Sequence, residues 1–214
     1  GEFYQLDLEM SFVEQEDVFK TVENLIIDLF KEFSNKKLMF KNFPRIEYEK
    51  AMLNYGTDKP DLRNPLIIKD VTKIFERQDV NFDIFKRMVK KGHLVRCIVT
   101  SGTGNKPRSF FDSIDKWAKE EGYSGLAYFT LEKDKNLLAK GPIGKFFSEE
   151  SLKEIINLTN LKVGDSIFFA CGMKRDVENI LSSARDVLGK QLNLIDENTF
   201  AFCWIVDYPM FEFD

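Results

Sequence analysis

Residues 125–170 read GLAYFTLEKDKNLLAKGPIGKFFSEESLKEIINLTNLKVGDSIFFA. The apolar run Leu126 to Leu131 predicts a strand, Asp134-Lys135-Asn136 turns the chain, and a shorter strand ends near Gly141-Pro142. Ser148 is placed to cap a helix whose first turn carries Glu149 and Glu150, where the helix dipole favours acids. The inward side of that helix carries Leu152, Ile155 and Ile156, and after Gly164-Asp165 the run Ile167 to Ala170 forms another strand.

Outward from this stretch the pattern continues. On the C-terminal side Val177, Ile180, Leu181, Ala184, Val187 and Leu188 fall at helical spacing with Gly189 as the stop, and Phe200 to Val206 reads as a buried strand. On the N-terminal side Phe110, Phe111, Ile114, Trp117 and Ala118 give a helix that begins at Pro107 and stops at Gly122. Val71 to Arg77 is helical, and alternating Val80, Phe82 and Ile84 pair with Leu94 to Val99 as a hairpin around Lys90-Lys91-Gly92. This order predicts an α+β fold, an antiparallel sheet with helices packed on it, and not a doubly wound parallel sheet.

The first third is organised differently. Tyr4, Leu6, Leu8, Met10 and Phe12 alternate with polar residues and predict a half-buried strand over Phe3 to Phe12. Val18, Val22, Leu25, Leu29 and Phe33 form one helical stripe behind Glu16 and Asp17. A connection rich in Pro, Gly, Asn and Asp follows from Phe43 to Pro65, with a short helix from Tyr48 to Asn54, and a domain boundary falls just after Tyr55 to Arg63.

Composition narrows the function classes. The chain has 214 residues, enough for one or two cores, and its 31 Lys and Arg against 35 Asp and Glu exclude a nucleic-acid binder held by a global positive field. Cys97, Cys171 and Cys203 lie far apart with no CxxC pair, which predicts a reduced, cytoplasmic protein without a zinc site. No apolar run approaches the roughly 18 residues of a membrane span, and no basic-then-apolar leader stands at Gly1.

Three features invite a ligand and have plain alternatives. Ser101-Gly102-Thr103-Gly104-Asn105 follows a strand and precedes a helix, but Pro107 replaces the third glycine of a dinucleotide loop, so it reads as a turn. Gly141-Pro142-Ile143-Gly144-Lys145 ends like a phosphate loop, yet Ala139 and Phe146 stand where glycine and Ser or Thr belong. The single histidine, His93, has no nucleophile beside it in sequence. The stronger pattern is Gln5, Asp7 and Glu9, which project from one strand face at steps of about 7 Å. Three acceptors there suit an ammonium group, Mg or ligand hydroxyls; a solvated outer face is the other reading.

The run EFYQLDLEMSF, residues 2–12, closely resembles the second strand of motif 2 in bacterial-type class II aspartyl-tRNA synthetases. Phe43-Pro44-Arg45-Ile46 and the loop YGTDKPDLR, residues 55–63, resemble the approach to the insertion of that family. Gly125 to Tyr128, Gly141 to Phe146 and Gly164 to Phe169 resemble the GAD-type insertion itself, which is shared with the B subunit of the tRNA-dependent amidotransferase. Trp204-Ile205-Val206-Asp207-Tyr208-Pro209-Met210-Phe211 resembles the return to the catalytic domain, so the likeness covers the whole chain in order.

The resemblance implies an internal fragment of an aspartate-activating ligase: residues 1–66 and 195–214 as incomplete pieces of an antiparallel catalytic sheet, and residues 67–194 as the insertion. It implies ATP and Mg as substrate and ion, the acceptor arm of aspartate tRNA as partner, a homodimeric parent and no membrane. Asp7 matches the carboxylate that holds the substrate ammonium group, a charge-assisted contact, with Gln5 and Glu9 in support. The other two motifs, the first strand of motif 2 and the anticodon-binding barrel are outside the matched segments, which implies that the fragment alone is inactive and binds no ATP. Lys86, Arg87, Lys90 and Lys91 cluster at the expected hairpin and suit a tRNA backbone contact; a basic turn protecting a sheet edge is the alternative. A non-catalytic binding module and the amidotransferase subunit are the competing functions, and both flanks argue against the latter.

Overall fold

The computed structural model describes residues 1–134 and 136–211; Lys135 of the expected turn and residues 212–214 of the expected return segment lie outside the described residues. The centre of the fold is a five-stranded sheet in the order β3-β4-β7-β5-β6, from β3 (Ile68–Asp70), β4 (Leu94–Thr100), β5 (Ala127–Lys133), β6 (Leu137–Lys140) and β7 (Ser166–Gly172). Every neighbouring pair in it is antiparallel. The middle strand β7 alternates between two cores: Ile167 and Phe169 enter one, Phe168 and Ala170 the other.

Helices cover both faces. On the first lie α3 (Thr72–Glu76), α4 (Asp83–Val89) and α6 (Glu149–Thr159), whose Ile74, Phe75, Val89, Leu152 and Ile155 join Val95, Cys97, Phe129, Leu131 and Phe169. On the second lie α5 (Arg108–Glu120) and α7 (Lys174–Gln191), which bring Phe111, Ile114, Ala118, Val177, Leu181 and Leu188 against Ile68, Ile98 and Phe168. Ser148 caps α6 as its sequence requires, its hydroxyl accepting from the Ser151 N–H.

Two expectations for this region are corrected. Residues 80–84 do not pair with β4 as a hairpin: Asp83 opens α4, because Phe82, Phe85 and Val89 follow a helical repeat and settle on the first core. Gly189 does not stop α7, which runs on to Gln191; a side chain at that glycine would strike the Asn64 amide, so its smallness serves a close approach.

The flanks form a thinner assembly. Helix α1 (Gln15–Phe33) begins with a reciprocal cap between Glu14 and Asp17 and has no buried residue. β1 (Lys37–Leu38) pairs with β8 (Thr199–Phe200), and β2 (Arg45–Glu47) with β9 (Trp204–Val206). Both pairs are parallel, so the antiparallel expectation holds for the five-stranded sheet and these flanking pairs depart from it. The strand expected from Phe200 to Val206 is split by residues 201–203 and is half-buried throughout. Phe30 meets Phe200 and Phe202 at 4.6 and 4.7 Å between ring centroids, and the Trp204 indole donates to Glu23 at 2.7 Å. Helix α2 (Tyr48–Tyr55) links this layer to the sheet, burying Ala51 and lying against β3 and α7.

Candidate functional site

The Phe3 to Phe12 strand does not form: residues 1–10 carry no ladder hydrogen bonds and every one of them is exposed. Alternation specifies a strand only when a neighbour takes up its N–H and C=O groups, and none among the described residues does so. The Gln5 side chain donates to the Asp7 carboxylate at 2.7 Å within this irregular segment. Glu9 is exposed two residues further on.

The connecting loop, residues 55–63, is far more ordered by its contacts. Gly56 adopts φ 70° and returns its N–H to Met52, and a side chain at this position would run into the Glu178 carbonyl of α7. Arg63 grips Asp61 through a forked pair at 2.9 and 2.7 Å, which holds the Asp61 carboxyl below its ordinary range. Tyr208 of the return segment donates to Asp58 at 3.2 Å and packs on Tyr48 at 4.9 Å.

Beneath the loop lies Arg185 of α7, 1% exposed. Its guanidinium donates to the backbone carbonyls of Leu66 at 2.7 Å, Asn64 at 3.0 Å and Asp61 at 3.3 Å, and sits 4.8 Å from the Tyr55 ring. Burial draws its pKa down from the ordinary arginine value. Close by, Arg96 of β4 and Glu178 of α7 form a buried ion pair at 3.1 Å. Sequence reading passed over both residues of α7. The signal was available: positions 178, 181, 185 and 188 fall on one helical stripe, and two of the four are charged.

The phosphate-like loops are occupied by the protein itself. The Gly102 N–H donates to Asp165 at 2.9 Å and that of Gly104 to the Gly164 carbonyl at 2.7 Å, which leaves a tight turn. Residues Gly144–Phe146 form a single 3-10 turn, and a Cβ at Gly144 would enter the Ala139 carbonyl. His93 shares a depression of about 380 Å³ with Cys171, but burial pushes that thiol up to about 11, so it is protonated near neutrality.

The basic cluster stands at the C-terminal end of α4 and the turn after it, not on a hairpin. Lys86 donates to the Arg77 carbonyl at 2.9 Å, while Arg87 is exposed and donates to the Asp83 carbonyl of its own helix at 3.3 Å. Asp83, Lys86, Arg87 and Lys90 line a depression of about 390 Å³. Among the described residues no group of three or more His, Cys, Asp or Glu side chains gathers to hold a metal. No helix among them is long and apolar enough to cross a membrane.

A family model for tRNA synthetases class II (D, K and N) matches residues 1–212. The chain is 69% identical over 212 residues to the aspartate–tRNA(Asp/Asn) ligase of Pelagibacter ubique (strain HTCC1062), covering 99% of this chain and 36% of that protein. It is 49% identical over 215 residues to the ligase of the same name from Beijerinckia indica, covering 100% of this chain and 36% of that protein. For that of Ehrlichia chaffeensis the identity is 51% over 214 residues, covering 100% and 35%. The chain thus spans about a third of the length of the curated relatives it matches.

Proposed function

The chain belongs to the class II tRNA synthetases of the D, K and N group, and from that membership we propose that it is part of a ligase that activates aspartate with ATP and Mg and passes it to tRNA. The observation that carries this reading is the 69% identity extending over 212 residues, flanks and central sheet alike. Because the relatives are named for both the aspartate and asparagine tRNAs, the proposed substrate includes both. Residues 1–66 and 195–214 belong to the catalytic domain and residues 67–194 form its insertion; the self-contained five-stranded sheet supports that division. The parent works as a homodimer in the cytoplasm.

Asp7 takes the substrate ammonium group, because a carboxylate fixes it by a charge-assisted hydrogen bond, and Gln5 orients Asp7 from the same face. Glu9 lines that face further along. In the 214-residue polypeptide this face lies open to water, so by itself it neither holds aspartate nor performs adenylation. Lys90 and Lys91, with Lys86 and Arg87 behind them, contact the backbone of the tRNA acceptor arm.

Aspartate-dependent ATP–pyrophosphate exchange tests the reading on the polypeptide and on the longer parent. The parent exchanges and the 214-residue chain does not; Asp7→Asn in the parent lowers kcat/KM for aspartate roughly ten- to hundredfold. A parent that is folded and inactive rejects the assignment, and a fully active Asp7→Asn parent rejects the role of Asp7. Reversing the charge of Lys90 and Lys91 in the parent reduces the salt dependence of tRNA binding by about two phosphate contacts, and an unchanged slope removes the patch from the interface.

A further inference from the structure

We propose that Arg185 is a positioning residue: its guanidinium latches the neck between the five-stranded sheet and the flanks, and so sets the angle at which the insertion meets bound tRNA. The inference rests on the tRNA-ligase reading above for its functional consequence, and on geometry alone for the latch.

The neck consists of the segment that leaves the flank, residues 61–67, and the end of α7 with the residues after it. Arg185 spans from the second to the first. Its donors reach three carbonyls within six residues, those of Asp61, Asn64 and Leu66. Asn64 closes the link from the other side, donating to the Arg185 carbonyl at 2.6 Å while its own oxygen accepts from the Leu66 N–H at 3.1 Å. The fit is close, since Asn64 packs directly on Gly189 one turn further along the helix.

The nature of the contact indicates what Arg185 is for. The buried guanidinium of Arg96 is matched by a carboxylate, that of Glu178. Arg185 has no such partner among the described residues: the nearest acid of the loop, Asp61, is committed to Arg63. Its donors are spent on backbone carbonyls, which a planar fork can satisfy together and a lysine point charge cannot. Together with the Asn64 side chain, these bonds give the loop a defined backbone path.

The other side of the neck is open. A cavity of about 730 Å³ is lined there by Pro65, Leu66 and Ile67 on one segment and Gln191, Leu192 and Leu194 on the other. A neck with room on one side and a polar clamp on the other pivots when the clamp is removed. The insertion would then tilt while its two cores stay intact. Beyond the clamp, the loop reaches the return segment through Asp58 and Tyr208 and through Arg63 and Glu197 at 3.6 Å, so the tilt is transmitted to both flanks.

The test uses the full-length parent with Arg185→Met, Arg185→Lys and the milder Asn64→Ala. Aspartate-dependent ATP–pyrophosphate exchange stays within about twofold of wild type, while kcat/KM for tRNA charging falls about tenfold, mostly through a higher KM for tRNA. Amide exchange of residues 61–67 accelerates at least tenfold, with β4 and β7 still protected. Arg185→Lys restores little of this, because it lacks the fork. Equal losses in exchange and charging, or unchanged charging with accelerated amides, overturn the positioning role. Unchanged amide exchange at residues 61–67 in Asn64→Ala and Arg185→Lys overturns the latch itself. A wild-type parent without aspartate-dependent exchange would instead strike the ligase reading, and the amide measurement would still decide the latch.

Discussion

Residues 67–194 and the two flanks contain similar kinds of side chain and treat them in opposite ways. In the central sheet Phe169 is 0% exposed and touches Phe75, Phe129 and Phe147; in the first flank Phe3 is 82% exposed and Leu8 52%. The sheet achieves this because its middle strand has ladder partners on both edges and a helical layer on both faces. The Phe3 to Phe12 segment is apolar at every second residue and has neither kind of partner among the described residues. Apolar periodicity therefore marks which side chains can be buried together, while burial itself requires a second surface.

The sharpest way to break this comparison is to remove one side chain from each region. Phe169→Ala leaves a cavity between three aromatic rings and costs about 3–5 kcal/mol of stability. Leu8→Ala stays within about 0.5 kcal/mol, because the side chain is already in water. Urea denaturation followed by tryptophan fluorescence and circular dichroism measures both. A Leu8→Ala loss comparable to that of Phe169→Ala would mean that the first segment packs against something in solution.

The same contrast explains how much of the fold and of the candidate site was legible beforehand. Helices α1, α2, α5, α6 and α7, and strands β5 to β7, follow from runs whose period is set by neighbours close in sequence. Residues 80–84 misled because Val80, Phe82 and Ile84 alternate over five positions, too few to separate a strand from the start of a helix; Phe85 and Val89 decide it. Arg185 and Arg96 are not legible in the sequence, because charged residues inside apolar stripes look like surface residues until their partners, 119 and 82 positions away, are placed. Long-range polar satisfaction is the part of a fold that periodicity does not encode.

A smaller effect tests whether the central region is also held at its polar rim. Arg77 reaches Asp79 through two bonds at 2.8 and 2.9 Å, Ser148 donates to the same carboxylate, and Arg77 also pairs with Glu154 of α6. These contacts tie the end of α3 to the start of α6. The Arg77 bonds, followed by the Ser148 hydroxyl, hold the Asp79 carboxyl down at about 2. In the unfolded chain the same group titrates near about 3.9. A depressed folded value means that the unfolded state takes up its proton first as the solution is acidified. The contribution to stability is therefore complete above about pH 4 and disappears as pH falls through about 2. Its size is well below that of the Phe169 cavity, because the pair is about a third exposed and water screens it. Asp79→Asn keeps the shape and removes the titration. The unfolding midpoint of wild type should then fall more steeply than that of Asp79→Asn between pH 4 and 2, and the two should run parallel above pH 5. Parallel curves across the whole range would show that the Asp79 carboxylate contributes nothing to the central sheet.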